Sequence, residues 1–230
     1  MAGKKITFYT ETAYISGLVF IALGAVFMQK ADLGMSMVVA PAYLLYLKLS
    51  PDFPFFTFGM AEYALQAVLL LILLAVVRKV RVRYFFSFVT AVIYGFILDG
   101  LNILLGGIAA GTMAARIVFF TAGILFCAIG VSLMFRTYLS PEVYELFVKE
   151  VSAEFGFRQD RCKTCYDCIS CAVSVVMSFA FYGAGHFEGV KIGTVVCSLI
   201  NGTLVGLFTK LSDRIFIFRD RFPSHKIFSD

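Results

Sequence analysis

The chain has 230 residues, of which 60% are hydrophobic and 15% are charged, and its mean hydropathy is +0.87. This composition excludes an ordinary soluble globular domain, in which about a quarter of the residues are charged. The formal charge of +5 is explained by basic loops on the cytoplasmic side of a membrane and implies no nucleic-acid partner.

Apolar runs of about 20 residues, the length that crosses a bilayer, recur along the chain and predict an all-α, polytopic membrane protein. After a short tail, span one is predicted at residues 12–28. It is long and has no small-residue cleavage site after a short core, so we expect it to be retained and not cleaved as a signal peptide. A polar break at residues 30–36 leads into the apolar segment 37–49, which contains Pro41.

Five further spans follow, with a charged amphipathic segment between spans four and five. This segment, residues 140–150, opens with Ser140, Pro141 and Glu142, a combination typical of a helix start. We expect it and its counterpart 37–49 to form short helices that lie at the interface or re-enter the membrane partway. The remaining spans are predicted at residues 55–77, 84–105, 114–135, 162–183 and 191–211, and residues 212–230 form a predicted tail.

Span one is repeated in span four. Gly17 and Gly24 align with Gly123 and Gly130, and in each copy the glycines are seven residues apart. Because seven residues make almost two helical turns, both glycines lie on one face, where another helix can approach closely. Further aligned pairs are Phe20 with Phe126, Ala22 with Ala128, Met28 with Met134, Leu33 with Leu139, and Lys30 with Arg136.

Two later segments match in the same order, 62–68 with 167–173 and 89–95 with 196–202. The single membrane domain is therefore predicted to consist of two repeats, residues 12–105 and 114–211, with three spans each. Because three is an odd number, the two copies must lie upside down relative to each other in the membrane. Inverted repeats of this kind recur in transporters, with the solute site near the midplane between the halves.

The distribution of Lys and Arg predicts the orientation of the spans. Basic residues concentrate in the N-terminal tail, the loop 78–83, the connection after span four and the C-terminal tail, whereas the loop 106–113 has no charge. Six spans with both termini in the cytoplasm satisfy the positive-inside rule throughout.

Four short motifs follow one another along the chain: the paired glycines of span one, the break Leu33-Gly34-Met35-Ser36, Lys163 with Asp167, and Gly193-Thr194 with Asn201-Gly202. In this order they resemble the YitT/YczE/YyaS family of bacterial integral membrane proteins. The resemblance covers nearly the whole chain and implies the same membrane architecture in the bacterial cytoplasmic (inner) membrane. It implies no substrate.

Glu62 and Asp167 are the first candidates for a solute site. They align in the two repeats, and each lies five or six residues into its span, roughly 8 Å deep by helical rise. A carboxylate inside a span is a functional candidate by default, since an idle charge is expensive in lipid. The alternatives are a helical ion pair of Asp167 with Lys163 and an interfacial position for Glu62.

The other predicted substrate-binding residues are polar or small. Tyr94 and Asn201 occupy matching mid-span positions, and a buried Asn needs a hydrogen-bond partner, either a solute or a neighbouring helix. Asp99 is also a candidate for binding a proton or a cation. The alternative is that it is an ordinary polar residue near the end of span three. Gly34 and Ser36, in the break after span one, are expected to offer free backbone groups, as discontinuous helices do.

Cys162, Cys165, Cys168 and Cys171 have the ligand type of a zinc or iron–sulfur site. In a helix, however, every third residue advances about 300°, so the four thiols spread around the circumference and do not converge. The histidines, His186 and His225, do not complete a metal cluster. We therefore expect no cofactor and keep a metal at these cysteines as an alternative.

We predict a small secondary transporter, or a substrate-binding membrane component, for a small polar solute, with cations and zwitterions among the candidates. The chain has no nucleophile–base pattern and no phosphate loop, so we do not expect an enzyme. The predicted partners are the lipid bilayer, the solute, and a second copy or a partner subunit. Two alternatives stay open: a metal- or redox-responsive protein, and a membrane scaffold that docks a partner through residues 141–155.

Overall fold

The computed structural model describes residues 6–183 and 189–221. His186, His225 and residues 222–230 of the predicted tail lie outside them. Within the described residues the chain forms eight helices and two short strands. They are β1 (Ile6–Tyr9), α1 (Thr10–Ala31), α2 (Ala40–Leu49), α3 (Phe58–Val77), α4 (Val82–Leu104), α5 (Met113–Met134), α6 (Val143–Phe155), α7 (Gln159–Tyr182), α8 (Ile192–Ile215) and β2 (Phe216–Arg219).

Six of the helices in the described part of the chain are long and apolar enough to cross a membrane, namely α1, α3, α4, α5, α7 and α8. The predicted all-α, polytopic fold class is therefore confirmed. The helices begin and end within a few residues of the predicted spans, and the largest difference is at the C-terminus. There α8 continues to Ile215, through the first residues of the predicted tail.

The centre of the molecule is the crossing of α1 and α5, where the paired glycines meet. A Cβ added to Gly24 would lie 2.7 Å from the carbonyl oxygen of Gly123, and one added to Gly130 would lie 2.7 Å from that of Gly17. Only a hydrogen atom fits at these positions, so the two backbones are in direct contact. The first glycine of each helix contacts the second glycine of the other, which makes the helices antiparallel.

The contacts at this crossing are reciprocal. Met134 lies against Gly17, and Met28, its counterpart in the first repeat, lies against Gly123. Phe20 stacks on Phe126, the residue with which it aligns, with ring centroids 5.9 Å apart. These reciprocal contacts relate α1 and α5 by an approximate local two-fold axis.

The two short helices, α2 and α6, both pack against α3 and α7, so each of them contacts both halves of the molecule. Helix α2 lies against α3 and α7, and α6 lies against α3, α4 and α7. The expectation that α6 begins at Ser140 with Pro141 in its first turn is wrong, because the helix starts at Val143 after Glu142. The preceding carbonyl groups accept hydrogen bonds from α4 instead: that of Ser140 from Thr90, at 3.0 Å, and that of Pro141 from Ser87.

Helix α6 is fixed by ion pairs to the end of the basic α3–α4 loop and to the start of α4. Glu150 is buried and lies 2.8 Å from Arg81 and 2.7 Å from Arg83, and it also accepts a hydrogen bond from the hydroxyl of Tyr84. Such hydrogen-bonded, partly desolvated pairs are stronger than surface pairs. The amphipathic helix is therefore anchored at its far end by the loop with the highest density of positive charge.

The two strands were not predicted. β1 pairs with β2 in parallel, with Ile6 opposite Phe216 and Tyr9 opposite Arg219. Thr10 donates to the carboxylate of Asp220 at 2.8 Å, so side chains support the pairing. The pairing places the N-terminal strand and the end of α8 on the same side of the molecule, as an even number of spans requires.

The two halves differ in one respect that creates space. Helix α3 packs along α4, whereas their aligned counterparts α7 and α8 form no extended contact in the part of the chain that the structure describes. Both α7 and α8 pack against other helices, α7 on α2 and α6 and α8 on α5. The gap that remains between α7 and α8 opens onto the central crossing.

Candidate solute cavity

A cavity of about 480 Å³ occupies this gap. Its walls come from α1, the break after α1, α4, α5, α6, α7 and α8, so both halves of the chain contribute. The apolar part of the wall includes Met28, Met35 and Phe135. The polar side chains on the wall are Ser36, Tyr94, Glu142, Tyr144, Glu145, Lys163, Thr164, Asp167, Ser198 and Asn201.

The ionisable side chains on the wall are mostly acidic. Glu142, Glu145 and Asp167 face a single basic residue, Lys163. Burial raises the pKa of the Glu142 carboxyl well above its usual range, and the nearby carboxylates of Glu145 and Glu62 raise it further. Burial also raises the pKa of Glu145, which Lys163 partly opposes. An excess of carboxyl groups in a confined, partly apolar space favours a positively charged occupant.

Asp167 lies on the cavity wall and forms the helical ion pair that its spacing predicts. The Nζ of Lys163 is 3.0 Å from its carboxylate, one turn away on α7. The same ammonium group lies 5.5 Å from the centre of the Tyr166 ring. Lys163 is thus held by Asp167 and by an aromatic face.

Tyr94 and Asn201, the aligned mid-span pair, both lie on the cavity wall. Tyr94 is completely buried. Among the described residues, neither the Tyr94 hydroxyl nor the Asn201 carbonyl oxygen has a hydrogen-bond partner. Buried polar groups are rarely left without a partner, so these two atoms mark places where a ligand or water would be bound.

The break after α1 contributes Ser36 to the wall, while Gly34 lies elsewhere. The carbonyl of Ser36 accepts hydrogen bonds from the amides of Val39 and Ala40, at 3.0 and 2.8 Å, and so begins α2. Gly34 has a φ of 124°, and an added Cβ would lie 2.6 Å from Thr194 Oγ1. Its role here is close packing of the break against the start of α8.

Glu62 lies behind the cavity wall, at the end of a buried hydrogen-bond cluster. Its carboxylate accepts from the hydroxyl of Tyr144 at 2.8 Å. One turn further along α3, Gln66 donates to Glu142 at 3.3 Å and accepts from the amide of Val143 at 3.0 Å. We call Glu62, Gln66, Glu142 and Tyr144 the carboxylate cluster.

Asp99 is not on the cavity wall. Its carboxylate accepts hydrogen bonds from the hydroxyl of Thr57, at 2.6 Å, and from the amide of Gly59, at 2.8 Å. These donors lie at the N-terminus of α3, where backbone amides have no partner within the helix. Asp99 thus joins α4 to the start of α3.

The four cysteines of the Cys-x-x-Cys run all lie on α7. Cys165 and Cys168 are exposed, and Cys162 and Cys171 are half-buried. Within residues 6–183 and 189–221, no group of three or more His, Cys, Asp or Glu side chains is placed to hold a metal ion. The metal- or redox-responsive protein stays an untested alternative. The arrangement of these four thiols gives it no support.

Glu142, Glu145, Tyr144 and Gln66 are site residues that the sequence analysis did not identify. The first three belong to a segment that was predicted as a short helix at the interface or partway into the membrane. Its sequence pattern did not show that Tyr144 is only 2% exposed. One signal was available for Gln66. It lies four residues after Glu62 in an apolar span, so the two polar side chains share a helix face.

Comparison with known proteins gives a family without an assigned activity. No curated protein and no solved structure matches the chain. Residues 8–210 match the model of a family described as a family of unknown function, DUF6198. The match runs from β1 through nearly all of α8 and so includes every wall of the cavity. This chain is therefore a member of the DUF6198 family.

Proposed function

We propose that this protein is a small secondary transporter, or a substrate-binding membrane component, for a small solute that carries a positive charge. The cavity between α7 and α8 is the observation that carries the proposal, because three carboxyl groups and one ammonium group line it. The solute is either a cation or a zwitterion. A zwitterion would place its anionic end near Lys163.

The size and lining of the cavity fit a small organic solute. Its volume of about 480 Å³ lies within the usual range of ligand pockets, roughly 300–1,000 Å³. Apolar walls with a few convergent polar groups are typical of such sites. The thioethers of Met28 and Met35 and the ring of Phe135 would contact the apolar part of the solute, and the acids would contact its charge.

The position of the cavity supports transport over simple binding. It lies beside the crossing of two helices that are related by an approximate local two-fold axis, and Tyr94 and Asn201 reach it from aligned positions in the two halves. Solute sites of inverted-repeat transporters lie at this kind of interface. The resemblance to the YitT/YczE/YyaS family, and with it the location in the bacterial inner membrane, belongs to the same proposal.

Thermal unfolding in detergent tests the binding step directly. The probes are choline, glycine betaine, putrescine and ethidium, with acetate and glycerol as anionic and neutral controls. A ligand that binds only the folded state stabilises it by about 2.7 kcal/mol at a hundred times its Kd. We expect at least one positively charged probe, and neither control, to raise the melting temperature.

Two cavity variants and one matched control locate the binding. Asp167→Asn and Asn201→Ala should each weaken the apparent affinity for the probe at least tenfold. This affinity is obtained from how the melting temperature depends on probe concentration. Asp52→Asn, which removes an exposed carboxylate outside the cavity, should leave it unchanged. Stabilisation that is equal in all three variants would place the probe elsewhere and contradict the proposal.

A further inference from the structure

The carboxylate cluster contains two acids that lie deep in the protein. Glu62 is 0% exposed and Glu142 is 6% exposed. Each carboxylate has one oxygen in a hydrogen bond, Glu62 with Tyr144 and Glu142 with Gln66. The second oxygen of each, Oε1, has no partner among the described residues. Solute binding in the cavity does not by itself explain why Oε1 of Glu62 and Oε1 of Glu142 have no partner.

The orientation of the Gln66 amide fixes where a proton can reside on Glu142. The amide of Val143 can only donate, so the Gln66 oxygen must face it. The Gln66 nitrogen therefore faces Glu142 and donates to Oε2. A proton on Glu142 is consequently carried by Oε1, the oxygen without a partner.

The charges around the cluster do not compensate two anions. Besides burial, the strongest influences on Glu142 are the carboxylates of Glu145 and Glu62. Lys163 acts on Glu145 and is itself 3.0 Å from Asp167, so its charge is already shared between two acids. Among the described residues, the further titratable groups that interact with Glu62 or Glu142 include Tyr14 on α1, Tyr94 on α4, Cys127 on α5 and Tyr166 on α7, and none of these carries a positive charge.

Two ionised carboxylates cannot both stay in this environment. Desolvation disfavours the charged form of each acid, and two neighbouring anions disfavour each other. A proton on one of the two acids removes one of these charges and, with it, the repulsion between them. The empty state of the cavity must then hold at least one proton on the cluster.

We propose that Glu62 and Glu142 form an exchangeable proton site, so that the protein releases a proton from this pair when a cation enters the cavity. The exchange half of this inference rests on the proposed function. The balance is simple: a carboxyl O–H bond breaks, the proton passes to water, and the cation takes its place as the positive charge. The total charge of the cavity is the same before and after, so neither state leaves an additional buried anion.

The location of Glu142 explains how the two events are linked. Glu142 lies on the cavity wall, whereas Glu62 lies behind it and reaches the wall only through Tyr144. A cation beside Glu142 stabilises its ionised form, and Tyr144, at the end of the same cluster, also lines the cavity. Glu142 is therefore the group that responds to the cation. Glu62 is the second acid of the pair, and its presence makes ionisation of both carboxyl groups unfavourable.

Infrared spectroscopy of the purified protein without any solute tests the proton site. At neutral pH we expect the carbonyl stretch of a protonated carboxylic acid in the wild type. The band should be retained in Glu150→Gln, which removes a carboxylate paired with Arg81 and Arg83, and lost or reduced in Glu62→Gln or Glu142→Gln. If the folded wild type shows no such band at neutral pH, the proton site is refuted, even if the variants do not fold.

Proton release tests the exchange. The probe that stabilises the wild type is added to protein in weakly buffered detergent with a pH-sensitive dye. We expect one proton to appear for each cation bound, and none in Glu142→Gln. Binding without proton release would overturn the exchange and leave the proposed function intact. If no probe binds, the proposed function fails and the exchange fails with it, while the infrared result still decides whether the buried proton exists.

Discussion

Acidic side chains in this protein have two kinds of surroundings. Asp99 and Glu150 accept hydrogen bonds from strong donors, which are a helix terminus for Asp99 and two guanidinium groups for Glu150. Glu62 and Glu142 have only a hydroxyl and an amide as donors. The first pair holds elements together, and the second pair is the one that we propose as an exchangeable proton site.

Replacing Asp99 by Asn should affect stability and leave binding unchanged. Asn keeps one acceptor oxygen but loses one of the two charge-assisted bonds to Thr57 and Gly59. We expect a loss of about 1–3 kcal/mol in the free energy of unfolding. Thermal unfolding with and without the cation probe measures both effects, and Asp52→Asn serves as the exposed control. A normal melting temperature with lost probe binding would instead assign Asp99 to the solute site.

Replacing Glu142 by Gln should change how stability depends on pH. The pKa of Glu142 is raised in the folded protein from its ordinary value of 4.5, so above that pH the unfolded state loses the proton first. The wild type therefore becomes less stable as the pH rises from about 4.5 to the raised pKa, by at most about 1.4 kcal/mol per pH unit.

The Glu142→Gln variant has no such proton to lose. Its stability relative to the wild type should accordingly increase with pH through this window, in chemical or thermal unfolding followed from pH 4 upward. A difference between the two proteins that is constant across the window would show that the folded-state pKa of Glu142 is not raised.

At the scale of single elements, the crossing of α1 and α5 determines how closely the two halves approach. Each helix presents two glycines, and each glycine is closed by the backbone and by a side chain of the other helix. Packing without side chains at the contact is the usual way for helices to associate in a membrane, where the hydrophobic effect does not draw them together.

Gly24→Ala should therefore destabilise the protein, and Gly206→Ala should not. The added Cβ at Gly24 would lie 2.7 Å from the Gly123 carbonyl, whereas a Cβ at Gly206 in α8 would have nothing within 4 Å. Overpacking costs about 1–3 kcal/mol. Ala in place of an unconstrained helical Gly is favourable by about 0.5–1 kcal/mol. Opposite shifts in melting temperature are expected, and equal shifts would contradict the close contact of α1 and α5.

The sequence predicted the elements better than their surroundings. Span lengths follow from the thickness of the bilayer, so each long helix was found within a few residues. Helix α6 was predicted to lie at the interface or to re-enter the membrane partway, and this stays a prediction. Its charges did not show that Glu150 pairs with two arginines that are distant in sequence. Strands β1 and β2 were missed because their pairing joins residues from the two ends of the chain, which no local pattern reveals.

At the scale of the whole molecule, the two halves are similar in elements and different in packing. The α3–α4 contact of the first half has no equivalent of similar extent between α7 and α8 in the described residues, and residues of both α7 and α8 line the cavity. Aligned positions explain why Tyr94 and Asn201 reach the same space. The sequence could not show that Glu142 and Glu145 join them, since that depends on how α6 packs against α3 and α7.

Site-directed labelling tests the predicted orientation of this arrangement. Gly107 is exposed in the α4–α5 loop, and Val80 is exposed in the α3–α4 loop. A single cysteine is introduced at each position in a variant whose four α7 cysteines are changed to serine. We expect a membrane-impermeant maleimide to label Gly107→Cys in intact cells. Val80→Cys should react only after the membrane is permeabilised, since its loop is basic. The reverse pattern would contradict cytoplasmic termini.

The proposed function makes the cavity between α7 and α8 a route for a positively charged solute. Its most direct test is uptake of labelled choline, glycine betaine, putrescine and ethidium into proteoliposomes with an outward proton gradient, acidic inside. We expect saturable uptake of at least one of them, reduced at least tenfold in Asp167→Asn and Asn201→Ala and unchanged in Asp52→Asn. Uptake no faster than in protein-free liposomes for every probe, or equal uptake in all the variants, would contradict the proposed function.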